Sequence, residues 1–399
     1  MSRPIQDLRG VHRLIAPLIC GFVLGSLATL ILSYHPALKF SSSSPAHALK
    51  QYLAPSSPED TAALGGGRGG GSAAIIPPIV HFVHLKQDPD SALHFSFEAF
   101  LALYAAAHHV QPTAIYIHHD FSDADIAHAA QHGSSWTRKT LGGAAFPSLL
   151  RLNRVTAPTE ANGHPILRVE HKSDFVRLEQ LQEHGGVYLD WDVVTLRPLA
   201  PLRAAGFRAV VGRQFDAFIN NGILLAVPQS AVVRVLAREA RRVFDGGWIT
   251  HSVNLLTRVA GRLAACPGEV LIMDDRAFSP FSWEQDSVDR LLGRHAGEAV
   301  RAPVSVATGV NSSTAMDPYE IWENAQDAAA EVEKKGWVYD FSDAIFLHKI
   351  FNSVENPTGY TGVNVPYILA RDSNYALATW PLVMEGIRIG LIDAQDDTF

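Results

Sequence analysis

Residues 171–194 read HKSDFVRLEQLQEHGGVYLDWDVV, and this stretch decides the fold. Its first half has helical periodicity and ends at Gly185 and Gly186, which can adopt the positive φ that a helix C-cap needs. The β-branched and aromatic run that follows, at 187–189, predicts a short buried strand. The stretch therefore predicts a helix, a tight turn and a buried strand in direct succession.

Two aspartates, Asp190 and Asp192, come directly after the predicted strand. Residues separated by one position at the end of a strand can point their side chains the same way. Paired carboxylates in that arrangement suit a hard divalent cation such as Mn²⁺ or Mg²⁺, which takes oxygen ligands and carries a diphosphate with it. The pattern therefore indicates chemistry on a nucleotide diphosphate.

The whole block resembles the DXD sugar-binding region of the retaining glycosyltransferases of family 32 and of the related bacterial glucosylating toxins. In those families a helix carrying S-D-x-x-R runs into G-G-x-Y-x-D-x-D, and residues 173–192 contain each element at the matching spacing. The resemblance implies that Asp174 holds ribose or sugar hydroxyls and that Arg177 lies near the diphosphate and the donor sugar. It also implies that Asp190 binds the ribose and the sugar, and that Asp192 chelates the metal.

Asp174 and Arg177 also have a purely structural explanation. An aspartate and an arginine three positions apart on a solvent-facing helix form an ion pair that contributes only about 0.2–0.5 kcal/mol. If Arg177 binds phosphate oxygens through its planar fork, replacing it by lysine is expected to weaken use of the donor. Folding is expected to change little, because a solvent-facing pair contributes little to stability.

The segment 75–84 (IIPPIVHFVH) predicts the first strand of the folded domain. It resembles the I-P-x-I-I-H opening strand of family 32, which implies that Phe82, Val83 and His84 lie beside the nucleotide base. His81 is interpreted as a core histidine without a catalytic role. Helical periodicity and a second strand pattern follow, at 95–109 and 114–118, so a βαβ unit precedes the donor motif, as a parallel nucleotide-binding sheet requires.

Two downstream segments resemble later parts of the same family. Residues 218–225 (FINNGILL) are similar to its F-N-x-G strand, which implies that Asn220 contacts the donor sugar or the acceptor; a β-bulge or turn is the alternative. His348 with Ser353 is the nearest match to the late residues that complete the family's metal and diphosphate site. A neutral imidazole can bind manganese, and a core or surface histidine is the alternative for His348.

The amino-terminal part of the chain predicts a membrane anchor. Residues 14–34 (LIAPLICGFVLGSLATLILSY) contain no charged residue and would span about 30 Å as a helix, the thickness of a bilayer core. Arginines precede this segment and few basic residues follow it, so the positive-inside rule predicts a cytosolic tail at residues 1–13 and a lumenal chain downstream. A cleaved signal peptide is the alternative.

Residues 35–74 are rich in serine, proline and glycine and predict a disordered stem in front of a lumenal domain at residues 75–399. Anchor, stem and enzyme in this order are typical of type II membrane transferases of the Golgi. Asn311 begins an Asn-Ser-Ser sequon, which is usable only in a lumenal domain.

The net charge, hydrophobic content and cysteine count of the chain limit which partners and which kind of domain are possible. The net charge of −7, without any stripe of basic residues, argues against nucleic acid as a partner. A hydrophobic content of 47% over 399 residues is enough for a sizeable core. Since one of the two cysteines lies in the predicted anchor, no intramolecular disulfide can brace the domain.

We therefore expect an α/β fold, a GT-A type Rossmann-like nucleotide-sugar-binding domain behind an N-terminal transmembrane helix and a flexible stem. The expected function is metal-dependent, retaining transfer of a sugar from a nucleotide-diphosphate sugar to a hydroxyl of a glycan or lipid in the Golgi. One alternative is a non-catalytic, degenerate transferase or sugar-binding protein. Another is a haloacid-dehalogenase-like phosphatase, whose D-x-D-x-[TV] motif residues 190–194 also satisfy, but whose lysine is missing between Val193 and Asp275.

Overall fold

The structure is a computed structural model, and it describes residues 74–143, 145–146, 148–298, 335–350, 355–357 and 359–399. The predicted anchor at 14–34, most of the predicted stem, Asn311 and Ser353 lie outside the described residues. Among the residues that are described, no helix is both long and apolar enough to cross a membrane.

The described strands are, in chain order, β1 (Ile79–His84), β2 (Ala114–His119), β3 (Leu150–Arg154), β4 (Glu160–Ala161), β5 (His164–Pro165), β6 (Gly186–Leu189), β7 (Val193–Thr195), β8 (Ala209–Arg213), β9 (Ile219–Ala226), β10 (Val270–Met273) and β11 (Phe346–His348). The described α-helices are α1 (Phe97–Val110), α2 (Asp123–His132), α3 (Ser135–Leu141), α4 (Val169–His184), α5 (Ala200–Arg203), α6 (Ala231–Val243), α7 (Val253–Leu263), α8 (Asp275–Phe278), α9 (Gln285–Leu292), α10 (Val365–Ala370) and α11 (Asn374–Arg388).

Seven of these strands form one mixed sheet in the order β10-β8-β9-β6-β1-β2-β3. The run β3, β2, β1 and β6 is parallel, and β8 and β10 are parallel to each other. Strand β9 lies between them and is antiparallel to both β6 and β8. The predicted α/β class with a mainly parallel sheet is confirmed.

The turn between α4 and β6 forms as predicted. Gly185 and Gly186 have φ values of 62° and 110°, which favour glycine. A Cβ on Gly186 would also lie only 2.5 Å from the carbonyl oxygen of Ile79, so β6 can approach β1 this closely only without a side chain there. The predicted order of helix, glycine turn and buried strand is confirmed.

Strand β6 is buried on both faces, as a central strand of such a sheet must be. Val187 and Leu189 pack into the apolar cluster that contains α1, whereas Tyr188 packs into the cluster that contains Phe175 of α4. The residues that follow β6 therefore emerge from the buried centre of the sheet.

A second, short ladder brings a distant segment to the same place. Strand β11 pairs antiparallel with β7, and His348 lies opposite Val193. The backbone N–H of Lys349 donates to the carbonyl oxygen of Asp192 over 2.9 Å. His348 is thereby held next to the aspartates that follow β6.

A row of buried histidines links β3, β2, β1 and the end of α4. Asn153 donates to His118 Nδ1 (2.8 Å), His118 Nε2 to His81 Nδ1 (2.9 Å), and His81 Nε2 to the Gly185 carbonyl (2.7 Å). Because a carbonyl oxygen can only accept, His81 Nε2 carries a proton, and with both rings neutral the directions of the other two bonds follow. Burial lowers the pKa of His81 to about 4 and that of His118 to about 2. The interpretation of His81 as a core histidine is confirmed.

Acidification is expected to destabilise this fold below about pH 6.5. Histidines of the unfolded chain take up a proton near pH 6.5, whereas folded His81 and His118 do so only at about 4 and about 2. Each therefore removes about 1.4 kcal/mol from the free energy of unfolding per pH unit as the pH falls through that window. Urea titrations of the full-length protein in detergent, between about pH 6.5 and about pH 5, measure the slope.

His118→Gln should reduce that slope by about one proton. His164→Gln, at an exposed histidine of β5, is the matched control and should leave the slope unchanged. Equal slopes in the wild-type protein and in His118→Gln would contradict the prediction.

Candidate functional site

A cavity of about 770 Å³ opens at the carboxyl ends of β1 and β6, where ligands bind in α/β sheets. Its wall brings together predicted site residues from five separate parts of the chain: Val83, His84, Asp174, Arg177, Asp190, Asp192, Asn220 and His348. Ser353 lies outside the described residues. Phe82 is fully buried and does not reach the cavity wall.

Asp190, Asp192 and His348 converge in this cavity. One potential ligand atom of each residue lies within 4.8 Å of those of the other two. Burial raises the pKa of the Asp190 carboxyl, and the charge of Asp192 adds to this effect although Arg177 opposes it. For Asp192, burial is outweighed by His348 and Lys349, so its pKa is lowered. Two carboxylates side by side, one of them hard to ionise, are a donor set that fits a divalent cation.

Asn220 orients His348 instead of simply facing the cavity. Its side-chain oxygen accepts from the Gly222 N–H over 2.8 Å, so its NH₂ group must point the other way, towards His348 Nδ1 at 2.8 Å. Nδ1 is then the acceptor, and the proton of the neutral ring sits on Nε2, which lies 3.2 Å from Asp192 Oδ1. Metal ligation through Nε2 requires the other tautomer and a turned Asn220 amide. In the arrangement described here, His348 is a hydrogen-bond donor to Asp192.

Arg177 joins the two acidic positions of the motif. Its NH2 lies 3.1 Å from Asp174 Oδ1 and 3.2 Å from Asp190 Oδ1, and its NH1 donates to the Asn221 carbonyl over 2.6 Å. The guanidinium also lies over the ring of Tyr188, 4.3 Å from its centroid. Burial alone lowers the pKa of Arg177, but the charges of Asp190 and Asp174 outweigh burial and raise it.

The solvent-facing ion pair considered for Asp174 and Arg177 is wrong, because Arg177 is only 4% exposed and Asp174 only 7%. The expectation that Arg177→Lys barely changes folding rested on an exposed pair, so the burial of both residues removes its basis. A buried charge that loses its partners destabilises a protein far more than an exposed one.

Asp174 has two partners that the sequence analysis missed. Asn221 donates to Asp174 Oδ1 over 2.8 Å, and His251 Nε2 lies 3.0 Å from Asp174 Oδ2. Asn221 lies beside Asn220, and the alternation of side chains along β9 could have assigned the two asparagines to different sides. His251 carried no local signal of this role.

Two aromatic residues of the motif support the aspartates. The Tyr188 hydroxyl donates to Asp190 Oδ1 over 2.5 Å, and Trp191 Nε1 donates to the Val83 carbonyl over 2.7 Å. The Trp191 ring stacks on Phe82 with centroids 4.6 Å apart. Phe82 therefore packs against Trp191 without reaching the cavity, while Val83 and His84 line the cavity. The tyrosine of G-G-x-Y-x-D-x-D was the signal that could have identified Tyr188.

A buried ion pair closes another part of the wall. Glu98, in the first turn of α1, accepts from Lys349 Nζ over 2.7 Å. Burial raises the pKa of Glu98, although Lys349 acts against this. No motif pointed to Glu98, because its partner lies in a distant segment.

Comparison with known proteins gives one curated relative, glucan organizing enzyme 1 of Cryptococcus neoformans var. grubii serotype A (strain H99). It is 27% identical over 284 residues, covering 68% of this chain and 72% of that protein. Among solved structures, the glycosyltransferase GlyE of Streptococcus pneumoniae TIGR4 is similar over 79% of this chain and 65% of its own, at 12% identity and a TM-score of 0.38. The PaToxG glycosyltransferase is similar over 49% of this chain and 70% of its own, at 14% identity and a TM-score of 0.33.

The family described as "glycosyltransferase sugar-binding region containing DXD motif" matches residues 107–207. This range contains α4, the glycine turn, β6, and both Asp190 and Asp192. The resemblance inferred from the sequence is confirmed over residues 107–207, which match the DXD-containing sugar-binding region of glycosyltransferases.

Proposed function

We propose that this protein is a metal-dependent, retaining glycosyltransferase that moves a sugar from a nucleotide-diphosphate sugar to a hydroxyl of a glycan or lipid. The observation that carries the proposal is the arrangement of Asp190 and Asp192 in one cavity, with the buried Asp174–Arg177 pair beside them. A non-catalytic sugar-binding protein has no need for two adjacent carboxylates that repel each other.

The proposed domain type is GT-A. Its support is the sheet itself, in which four parallel strands are followed by the antiparallel β9, with the aspartate pair directly after β6. The cavity lies at the carboxyl ends of β1 and β6, as expected for a nucleotide site in a parallel sheet.

Each part of the donor has residues of suitable chemistry in the wall. Val83 and His84 offer an apolar and aromatic edge for the base, where burial lowers the pKa of His84 to about 4 and keeps it neutral. Asp174 and Asn221 offer an acceptor and a donor for hydroxyl groups. Asp190 and Asp192 would hold Mn²⁺ or Mg²⁺, which when bound offsets charge on the departing diphosphate.

Retention at the anomeric carbon is proposed to follow front-face attack by the acceptor hydroxyl. Asp174 and Asp190 both accept from Arg177, and Glu98 is paired with Lys349. These carboxylates are held by cations and are poor nucleophiles. The side chains of the wall would then act mainly by positioning and by electrostatic stabilisation.

A donor screen tests the proposal. Full-length protein in mild detergent is incubated with UDP- and GDP-linked hexoses and N-acetylhexosamines, with Mn²⁺, Mg²⁺ or excess chelator, and nucleotide release is measured. Because the curated relative is named a glucan organizing enzyme, glucan oligosaccharides form one acceptor arm. We expect release that requires the cation, and a product of retained anomeric configuration by NMR.

Two outcomes speak against this function. A nucleotide sugar that raises the melting temperature but is neither hydrolysed nor transferred supports the sugar-binding alternative. Release that continues undiminished in chelator contradicts metal dependence.

The secretory location rests on residues 14–34 and is proposed together with type II topology and Golgi residence. Resistance to carbonate extraction and a glycosidase-sensitive glycan on Asn311 are the expected results. A soluble product that begins near residue 35 would show a cleaved signal peptide instead.

Gly222→Ala is expected to damage the acidic site without unfolding the protein. A Cβ at this position would lie 2.6 Å from Asp190 Oδ2 and 2.6 Å from His348 Cε1, so the carboxylate and the imidazole must move apart. We expect Mn²⁺ affinity and donor turnover to fall by roughly 10- to 100-fold, as when a support of a metal ligand is lost. Gly261→Ala in α7 is the control, since a Cβ there has no neighbour within 4 Å. Unchanged Mn²⁺ affinity in Gly222→Ala would contradict the placement of Asp190 at the cation.

A further inference from the structure

Trp248 is an exposed aromatic residue on the wall of the proposed donor cavity. It lies in the loop between α6 and α7, and it is 48% exposed. Large hydrophobic side chains at the surface need no explanation when they are scattered, but this one lines a cavity together with Ile249, Ser252 and Val253. None of the proposed donor contacts uses it.

The loop that carries Trp248 is braced from within. Asp245 accepts from the Gly247 N–H over 2.8 Å and from the Thr250 hydroxyl over 3.2 Å. The Arg168 guanidinium lies 5.3 Å from the Trp248 ring centroid. The loop is therefore braced, and the indole already contacts Arg168, before any ligand arrives, which lowers the entropy lost on binding.

A buried polar group faces the same part of the cavity. His171 is 3% exposed, its ring centroid lies 5.5 Å from that of Trp248, and it lines the cavity. Its Nε2 atom is buried and has no hydrogen-bond partner among the described residues. Because a buried polar atom without a partner is costly, a ligand hydroxyl at this position would be favourable.

The position of this wall relative to the acidic pair follows from a chain of contacts. Trp248 contacts His171, whose ring centroid is 4.8 Å from that of His251, and His251 Nε2 lies 3.0 Å from Asp174. Asp174 is joined to Asp190 through Arg177. This series of contacts, from Trp248 to Asp190, involves residues of α4 and of the segment between α6 and α7. It contains no residue of β1, where the base of the donor is proposed to bind.

We infer that Trp248 and His171 form the subsite for a pyranose ring of the acceptor, so that the acceptor is a saccharide. One face of a pyranose presents C–H groups, which pack well on the electron-rich face of an indole, while the hydroxyls at its edge face the neighbouring wall of the cavity, which includes His171. This inference rests on the proposed function, and it names the class of the second substrate, the acceptor, that binds in the same cavity as the donor.

The test separates the acceptor from the donor. Full-length wild-type protein, Trp248→Ala and Trp248→Phe are compared in detergent, with Trp337→Phe as control; Trp337 stacks on His295 and does not line the cavity. The probes are the methyl α- and β-pyranosides of glucose, galactose, mannose and N-acetylglucosamine. Two quantities are measured: donor hydrolysis without acceptor, and the KM of each glycoside at saturating donor.

We expect Trp248→Ala to raise the KM of the accepted glycoside by about tenfold, the effect of losing one stacked aromatic face, with donor hydrolysis unchanged. Trp248→Phe should restore most of the loss, and Trp337→Phe should have no effect. Saturation-transfer NMR with diamagnetic Mg²⁺ and a nucleoside diphosphate should show contact to the glycoside C–H protons in the wild-type protein but not in Trp248→Ala.

Three results overturn the inference. An unchanged glycoside KM in Trp248→Ala rules out the subsite. A parallel rise in the donor KM assigns Trp248 to the donor sugar. Absence of saturation transfer to every glycoside in the wild-type protein shows that no pyranose binds there. Absence of donor hydrolysis in all of the proteins would contradict the proposed function instead, and it would not bear on this subsite.

Discussion

Asp192→Asn is expected to lower glycosyl transfer by roughly 100- to 1,000-fold while the protein still folds. The carboxylate is 35% exposed and lies at the cavity, 3.2 Å from His348 Nε2. Asparagine keeps the shape of the side chain but removes its negative charge, so the cation is bound less well. If the cation then stabilises the leaving group by several kcal/mol less, the reaction slows by roughly 100- to 1,000-fold. Nucleotide release from the preferred donor and Mn²⁺ affinity by calorimetry measure the two effects.

Stability should fall only slightly in this variant. Asp190 and Asp192 repel each other, but the lowered pKa of Asp192 means that His348 and Lys349 favour its charged form in the folded protein. Removing that charge relieves the repulsion but loses the larger stabilisation, so a small fall in the melting temperature is expected.

Asp343→Asn is a matched control for Asp192→Asn. Asp343 is 36% exposed, is also paired with a basic side chain, Arg276, and does not line the cavity. Its replacement should leave transfer unchanged. Full turnover in Asp192→Asn, or an equal loss in both variants, would show that the aspartate pair is not the donor site.

The parts of this site that the sequence predicted are local. The helix α4, the turn at Gly185 and Gly186 and the strand β6 are encoded by residues that are neighbours in the chain, through periodicity, glycine φ values and β-branched residues. The closeness of Asp190 and Asp192 was expected from strand geometry, but the two residues lie in a turn after β6, which the Val193 N–H closes by donating to the Asp190 carbonyl over 3.1 Å.

The parts that the sequence did not predict depend on contacts between distant segments. The resemblance named His348 as a residue of the metal site, but it did not predict the pairing of β11 with β7 that holds His348 beside Asp192, because neither three-residue strand carries a pattern that specifies its partner. The orientation of the His348 ring depends on Asn220, which in turn depends on Gly222. The burial of Arg177 depends on β9 and on the Tyr188 ring, so the helical spacing of Asp174 and Arg177 alone suggested an exposed pair.

Arg177→Lys is the second change with a large expected effect, and it should reduce both stability and donor use. Lysine keeps the charge but has no planar fork, so it cannot contact Asp174, Asp190 and the Asn221 carbonyl at once. Losing one or two charged hydrogen bonds in a buried site costs about 1–3 kcal/mol of the free energy of unfolding. Arg177→Met, which leaves the buried Asp174 and the partly exposed Asp190 without their cation, should cost about 3–5 kcal/mol.

Arg241→Lys is the control for Arg177→Lys, because each arginine forms an ion pair and lies over an aromatic ring. Arg241 pairs with Glu179 and lies over the Phe175 ring, but its side chain is 45% exposed and it does not line the cavity. The effect of this change on the melting temperature should be small, because exposed pairs contribute little. A drop in the Arg177→Lys variant no larger than in Arg241→Lys would mean that the buried network does not stabilise the fold.

The affinities of Arg177→Lys for a nucleoside diphosphate and for the bare nucleoside, both with Mn²⁺, show how Arg177 acts on the donor. If Arg177 only stabilises the fold, the folded variant binds both ligands as the wild-type protein does. If it positions Asp190 and lies near the diphosphate, nucleoside diphosphate affinity falls by roughly 10-fold or more while nucleoside affinity is kept. We expect the second result, because the same NH2 group contacts both Asp174 and Asp190, and any displacement of Asp190 alters the cation site that the diphosphate needs.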